Sequence, residues 1–387
     1  MSGTLSLSRE NNRIVLVDAL RGFAVAAIML LHFIEHFIYD VYPTGTSPLL
    51  ASIDQSVKDA MFFLFAGKSY SIFALLFGFT FAIQYRNQAT KGKDFCGRFV
   101  WRMLLLFLFG TLNAAFFPGG DVLVLFAIMG LVLVPLRKLG QTGLLIVALV
   151  FLVQPLEIFY TIRMWIDPTW APPVMLNNAY YPALKTVVDS GNFWEMAWAN
   201  ITTGQLASFF WAMDAGRMLQ APGLFLLGAI LGRGNYFTTT DANRLFWTRT
   251  LVISALASFI LYVAKSMAGI PAPLTTIFTM WYNIAFTGIL VAAFVLLFRV
   301  DWFQKITTGL QSYGKMSLTN YVSQSIIGSL IFFPYALNLA PHAGFAGSFI
   351  IGLIVMFLQI KFCQWWLASH RLGVLEGLWH KATWIRA

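Results

Sequence analysis

An all-α protein that crosses a lipid bilayer about ten times is the fold class this sequence predicts, and three observations predict it. Hydrophobic residues make up 58% of the 387 positions and charged residues only 11%, whereas a soluble domain carries roughly 25% charged residues. The apolar residues come in runs close to the roughly 20 that a helix needs to cross a hydrocarbon core. Lys and Arg sit singly or in small groups between those runs, alternating between the loops of one side and the other.

The mean hydropathy of +0.72 agrees. About two or three soluble domains of this total length would need more polar surface than the chain has. The net charge of +10 forms no basic polar segment, so a nucleic-acid partner is excluded and a lipid bilayer is the expected partner. The two cysteines, Cys96 and Cys363, both fall on the side assigned to the cytoplasm, where a disulfide does not persist. So few thiols also argue against a thiolate metal site, and no metal is expected.

Spans are expected at residues 14–38, 69–85, 99–117, 120–136, 142–162, 206–232, 247–267, 274–298, 316–335 and 344–367. The first contains Asp18 and Arg21 and lacks a small-residue cleavage site, so it reads as a retained span rather than a signal peptide. The sixth is interrupted by Asp214, Gly216, Arg217 and Pro222, and reads as a short entry helix followed by a span from Met218. One set of loops carries Arg9, Arg13, Arg86, Lys91, Lys93, Arg98, Arg137, Lys138, Arg233, Arg244, Arg249, Arg299, Lys305, Arg371, Lys381 and Arg386. The opposite set carries only Lys58, Lys68, Arg163, Lys185 and Lys265, with Arg217 nearby. By the positive-inside rule both termini lie in the cytoplasm.

This divides the chain into a membrane half at 1–162, an outer segment at 163–205 and a second membrane half at 206–387. The outer segment holds Trp165, Trp170, Tyr180, Tyr181, Trp194 and Trp198 among prolines. It reads as an interfacial aromatic belt on short helices, with a roof over an outward-facing site as the functional alternative. Gly228 and Gly232 are spaced to let a neighbouring helix approach. Asn200-Ile-Thr202 is formally a glycosylation sequon.

Ionisable groups inside a bilayer are costly and usually face a bundle interior or a wet cavity. In RIVLVDALRGFAVAAIMLLHFIEHF, Asp18 and Arg21 are one turn apart and form a plausible ion pair. His32 returns to within roughly 20° of the Arg21 face, about 16 Å further along the helix. Glu35 and His36 extend that stripe towards the outside, and Gly22 permits close approach of a neighbour or a ligand. A membrane-depth His is a candidate general base. Asp18 and Arg21 serve equally well as mere interface markers.

Arg98 and Arg102 lie one turn apart at the start of the third span, suited to anchoring or, beside Arg21, to gripping a phosphate. Asn113 lies eleven residues beyond Arg102 on the same face. Asp121 is placed to cap the next helix. Ser317, Asn320 and Gln324 form a polar stripe, more simply read as interhelical hydrogen bonding.

Several stretches resemble the YeiB-like family of bacterial membrane proteins. They are VDALRGFAVAAIMLLH, LLFGFTFA, GRFVWRMLLLFLFGTLNAAFFPGGDVLVLFAIMGL, FLLGAILGRG, GKMSLTNYVSQS and HRLGVLEGLWHKATW. The second half is similar to the domain of unknown function numbered 418. The first span also resembles membrane acyltransferases of the acyltransferase-3 and heparan-glucosaminide N-acetyltransferase groups, which carry an Arg-Gly pair and then a His, matched by Arg21, Gly22 and His32. The acyltransferase-3 type has an arginine pair comparable to Arg98 and Arg102.

The resemblance implies a bacterial plasma membrane location. It also implies acyl-CoA as donor from the cytoplasm and an acceptor on the outer side. Arg21, Gly22, Arg98 and Arg102 would then hold the donor, and His32 would act as base with Glu35 or Asp18 beside it. Relatives carry His where this chain has Asn113, so Asn113 is given no acid–base role. The competing expectation is a small-solute or anion transporter using the same polar file, with the break at Arg217 to Pro222 as its broken helix.

Overall fold

The computed structural model describes residues 2–117, 119–173, 179–267 and 269–384, with side chains from Val15 onward. Arg386 and the side chains of Arg9 and Arg13 lie outside the described residues. Among the described residues the secondary structure is entirely helical. The helices are α1 (Ser2–Ile34), α2 (Pro48–Phe65), α3 (Lys68–Ala89), α4 (Cys96–Ala114), α5 (Val122–Gly130), α6 (Leu133–Leu136), α7 (Gln141–Leu152), α8 (Pro155–Ile166), α9 (Tyr181–Asp189) and α10 (Phe193–Ala199). They continue as α11 (Gln205–Asp214), α12 (Arg217–Arg233), α13 (Asp241–Lys265), α14 (Ala272–Leu297), α15 (Asp301–Ile306), α16 (Thr308–Lys315), α17 (Ser317–Phe332), α18 (Phe345–Ser369) and α19 (Val374–Trp384).

The chain is a membrane protein, but the count of about ten spans is corrected. Among the described residues, five helices are long and apolar enough to cross a bilayer, or up to seven if each of two bent pairs is one span. Helix α4 carries Arg98, Arg102 and Asn113 and falls short of the required hydropathy. Residues 122–136 form a short apolar unit rather than a full span. Helix α17 is only 16 residues long and bears the polar stripe.

Helix α2 has no counterpart among the expected spans. Ser47 caps it, accepting from the Leu50 N–H, and Pro48 opens it. Its Asp54, Gln55, Lys58 and Asp59 interrupt the apolar run. The break in the sixth span is as expected: Gly216 takes the left-handed conformation (φ +66°), and the chain bends by 76° between α11 and α12.

Helices α1, α3, α12 and α16 form the centre of the bundle, α3 lying along α12 and α1 along α16. Glycines set these distances. A Cβ on Gly78 would strike the Phe225 carbonyl, and one on Gly228 would strike the Leu75 carbonyl, so α3 and α12 touch backbone to backbone. Gly22 and Gly314 make the same arrangement between α1 and α16. Gly22 is thus a packing residue, which corrects its expected place in a donor site: its open face is filled by the Leu310 carbonyl.

Helix α1 ends at Ile34, four residues before the predicted end of the span. His36, Phe37 and Ile38 all have positive φ (47°, 56° and 66°), a left-handed turn that costs roughly 1–3 kcal/mol per residue unless the surroundings impose it. Here Phe37 is fully buried, and His36 is held between the Val41 carbonyl at 2.9 Å and the Ser348 hydroxyl at 2.6 Å. The turn takes His36 off the stripe it was expected to extend, whereas Glu35 still donates its N–H to the Leu31 carbonyl at 2.9 Å.

In the outer segment, Trp165, Trp194 and Trp198 are 67%, 79% and 70% exposed, as an aromatic belt requires. Asn200 is fully buried and donates to the Ala115 carbonyl, so its sequon presents no acceptor.

Candidate functional site

At the end of the bundle where α19 docks, a cavity of about 330 Å³ opens among α1, α3, α4, α16, α17 and α19. That volume is in the size class of small-molecule sites, ~300–1,000 Å³. Its polar lining comprises Arg21, Thr80, Gln84, Arg102, Lys315, Ser317, Glu376 and His380, and Phe77, Phe99 and Phe126 supply apolar walls.

Arg21 is fixed from two sides. Its Nη1 donates to Asp18 Oδ1 at 3.0 Å and its Nη2 to the Thr80 hydroxyl at 3.0 Å. The expected Asp18–Arg21 ion pair is therefore present, and Asp18 itself does not line the cavity. Lys315, at the end of α16, is the other cation beside Asp18.

Arg102 lies over Trp379, its guanidinium 4.0 Å from the ring centroid. Arg98 turns away. It donates to the Thr383 carbonyl at 2.7 Å and stacks on Trp384 at 4.8 Å, stapling α19 to α4. Arg21 and Arg102 thus meet at one cavity, and Arg98 does not join them. This corrects the expectation of a forked Arg98–Arg102 grip.

The stripe on α17 also divides. Ser317 lines the cavity. Asn320 donates to the Tyr313 carbonyl at 2.9 Å and to Cys363 Sγ at 3.2 Å, an interhelical link. Gln324 is fully buried, with neither amide atom hydrogen-bonded.

Deeper in the bundle lies a second polar group. His32 packs edge-on against Phe117 with ring centroids 4.9 Å apart and faces Tyr321 at 6.5 Å. Its buried Nδ1 has no hydrogen-bond partner. Asn113 donates to Asp121 and, at 3.1 Å, to the Ser325 hydroxyl. Asp121 caps α5 as expected, accepting from the Leu123 N–H. Asp121 is also a charged neighbour of Tyr321. Unpartnered buried polar atoms of this kind call for an explanation, and a bound substrate is one. Glu35 sits at the turn after α1, half-buried, with Lys58 of α2 as its charged neighbour.

Sequence reasoning missed Thr80, Gln84, Lys315, Glu376, Trp379 and His380. The last four lie in GKMSLTNYVSQS and HRLGVLEGLWHKATW, stretches read only as family markers. No cluster of His, Cys, Asp and Glu able to hold a metal occurs among the described residues.

No solved structure matches the chain at a significant level. Protein YxaH of Bacillus subtilis, described as uncharacterized, is 27% identical over 99% of this chain and 97% of its own length. An uncharacterized 39.9 kDa protein in the amylase 3′ region of Bacillus acidopullulyticus is 24% identical over 97% of this chain and 95% of its own. Residues 231–386 match the model for a protein of unknown function, DUF418. Residues 13–185, which carry Asp18, Arg21, His32, Arg102, Asn113 and Asp121, match the catalytic model of heparan-alpha-glucosaminide N-acetyltransferase. Of the resemblances read from the sequence, those to the DUF418 domain and to the heparan-glucosaminide N-acetyltransferase group are found: the chain joins a first half similar to an N-acetyltransferase catalytic region to a second half similar to DUF418.

Proposed function

We propose that this protein is a membrane-embedded acyltransferase that takes an acyl group from an acyl-CoA on the cytoplasmic side and passes it to an acceptor on the outer side. The observation that carries the reading is the convergence of Arg21, Arg102 and Lys315 on one cavity, with His32 further along the same helix as Arg21. The similarity of this half to an N-acetyltransferase catalytic region supports it.

Three cations against the single Glu376 carboxylate make the cavity attractive to the phosphates of a CoA donor. Glu376 is held by α17 and Asp18 pairs with Arg21, which leaves Arg102 and Lys315 as the cavity cations without an ion pair among the described residues. The aromatic wall suits the pantetheine arm. The loops assigned to this end carry most of the Lys and Arg, so in this reading it faces the cytoplasm with both termini, in a bacterial plasma membrane. The ten crossings of the sequence reading would then require α4, residues 122–136 and α17 to cross inside the protein rather than against lipid.

In the reaction an acceptor hydroxyl or amine attacks the thioester carbonyl. A C–O or C–N bond forms, the C–S bond breaks, and the acceptor's proton passes to the free His32 nitrogen and from there to the leaving sulfur, so that CoA departs as its thiol. No covalent enzyme intermediate is needed. The test supplies labelled acetyl-CoA to proteoliposomes with amine and alcohol acceptors, including glucosamine, on the outer side. Labelled product is expected from the wild type, at a rate lowered by roughly 10²–10⁴-fold in His32→Ala. Equal labelling by both would remove His32 from the mechanism.

A further inference from the structure

Helices α3 and α12 run side by side, and both begin at the end of the bundle opposite the cavity. Each follows a glycine in the left-handed conformation, Gly67 (φ +78°) and Gly216 (φ +66°), and neither has a side-chain cap. The first residue of each helix is a buried cation: Lys68 is 4% exposed and Arg217 7% exposed. Two helix N-termini therefore add their positive ends to two buried positive side chains.

The local partners do not neutralise these charges. Arg217 Nη1 donates to Gln220 Oε1 at 2.8 Å and approaches the Gly67 carbonyl at 3.5 Å, while its buried Nε has no partner. The Lys68 ammonium reaches only the Phe62 carbonyl, at 3.5 Å. It also lies over the Tyr282 and Phe286 rings at 5.0 and 5.3 Å. Lys265 approaches the other side of the group, 4.3 Å from the Tyr282 centroid. The Tyr282 hydroxyl, on a residue 3% exposed, has no hydrogen-bond partner. None of the ion pairs among the described residues involves Lys68, Arg217 or Lys265. Taking a cation out of water without a counter-charge costs several kcal/mol, so a fold that buries two at the same point is built for an anion.

The group also connects to His32. Arg217 stacks on Tyr70 at 4.6 Å, and the Tyr70 hydroxyl is buried and unpartnered. Tyr70 is a polar neighbour of Tyr321, which faces His32.

We propose that Lys68, Arg217 and the N-termini of α3 and α12, with Lys265 at the rim, bind a phosphate group carried by the acceptor. Calling this ligand the acceptor rests on the acyltransferase reading; the phosphate site itself does not. Its source is either a lipid headgroup or a soluble phosphate ester, which present the same oxyanion.

The test uses the full chain in neutral detergent, heated in sodium phosphate or in sodium chloride of equal ionic strength. A parallel arm uses nanodiscs of phosphatidylcholine with or without phosphatidylglycerol. The wild type is expected to show a saturable, phosphate-dependent rise in Tm, and a rise confined to the phosphatidylglycerol discs identifies a headgroup as the source. Lys68→Met, which removes an uncompensated buried charge, is expected to start at an equal or higher Tm and to lose the rise. Arg217→Gln should behave likewise, and Arg98→Gln, outside both sites, should keep the rise. A rise of wild-type size in Lys68→Met, or none in the wild type in either arm, overturns the proposal. Phosphate binding without any acyl transfer would sink the acyltransferase reading alone. Transfer to neutral and phosphate-bearing acceptors at equal rates, in wild type and Lys68→Met alike, would sink the acceptor assignment alone.

Discussion

Glu376 holds Thr319 with both carboxylate oxygens: the Thr319 N–H donates to Oε1 at 3.0 Å and its hydroxyl to Oε2 at 2.6 Å. The Leu318 N–H adds a third bond at 2.7 Å. A residue on the last helix thereby caps the helix that carries Ser317, Asn320 and Gln324, and closes one wall of the cavity. Replacing a capping side chain with Ala costs about 0.5–2 kcal/mol. Glu376→Ala is therefore expected to lower Tm and to increase proteolysis of the α18–α19 connection, both read on the purified protein.

Gly22 makes a sharper prediction. A Cβ there would collide with the Leu310 carbonyl, which is backbone and has no side-chain freedom to yield. Gly22→Ala should destabilise the protein by roughly 1–3 kcal/mol as an overpacking change, seen as a fall in Tm. Donor affinity measured on the folded fraction should be retained. Unchanged stability would return Gly22 to the site.

Asp189 ties α9 to the turn after α1. Burial tends to raise its carboxyl, but hydrogen bonds from Lys185 and from the Tyr39 hydroxyl outweigh this and hold it below the usual range. A depressed folded value contributes stability above the unfolded pKa of about 3.9, and that stability is lost as pH falls through the lower folded value. Cleavage within the outer segment by an acid-tolerant protease should stay constant from neutral pH down to about 5 and rise only below about 4. Tyr39→Phe should move the rise to higher pH.

Much of this arrangement was legible because it is local. The Asp18–Arg21 pair, the Asp121 cap and the break at Gly216 each depend on residues within a turn or two, where helical geometry dictates the outcome. The rest depends on where distant segments dock. Arg98 and Arg102 look equivalent along the chain, and only the placement of α19, some 280 residues later, separates them: both reach Thr383, Arg98 at its carbonyl and Arg102 at its hydroxyl, but only Arg102 also lines the cavity. Lys68 and Arg217 read as stray charges of the outer loops until α3 and α12 are laid side by side. Helix α2 was hidden because its polar residues mimic a loop.

The central claim, that the Arg21–Arg102–Lys315 cavity holds an acyl-CoA, is tested most directly by titrating acetyl-CoA calorimetrically into the purified wild type, Arg102→Gln and Arg98→Gln. The account predicts saturable binding to the wild type. It predicts a loss of about tenfold or more in Arg102→Gln, the scale of a charge-assisted hydrogen bond at ~1.5–3 kcal/mol, and near wild-type affinity in Arg98→Gln. No saturable binding to the folded wild type, or binding that survives in Arg102→Gln and disappears in Arg98→Gln, would contradict it.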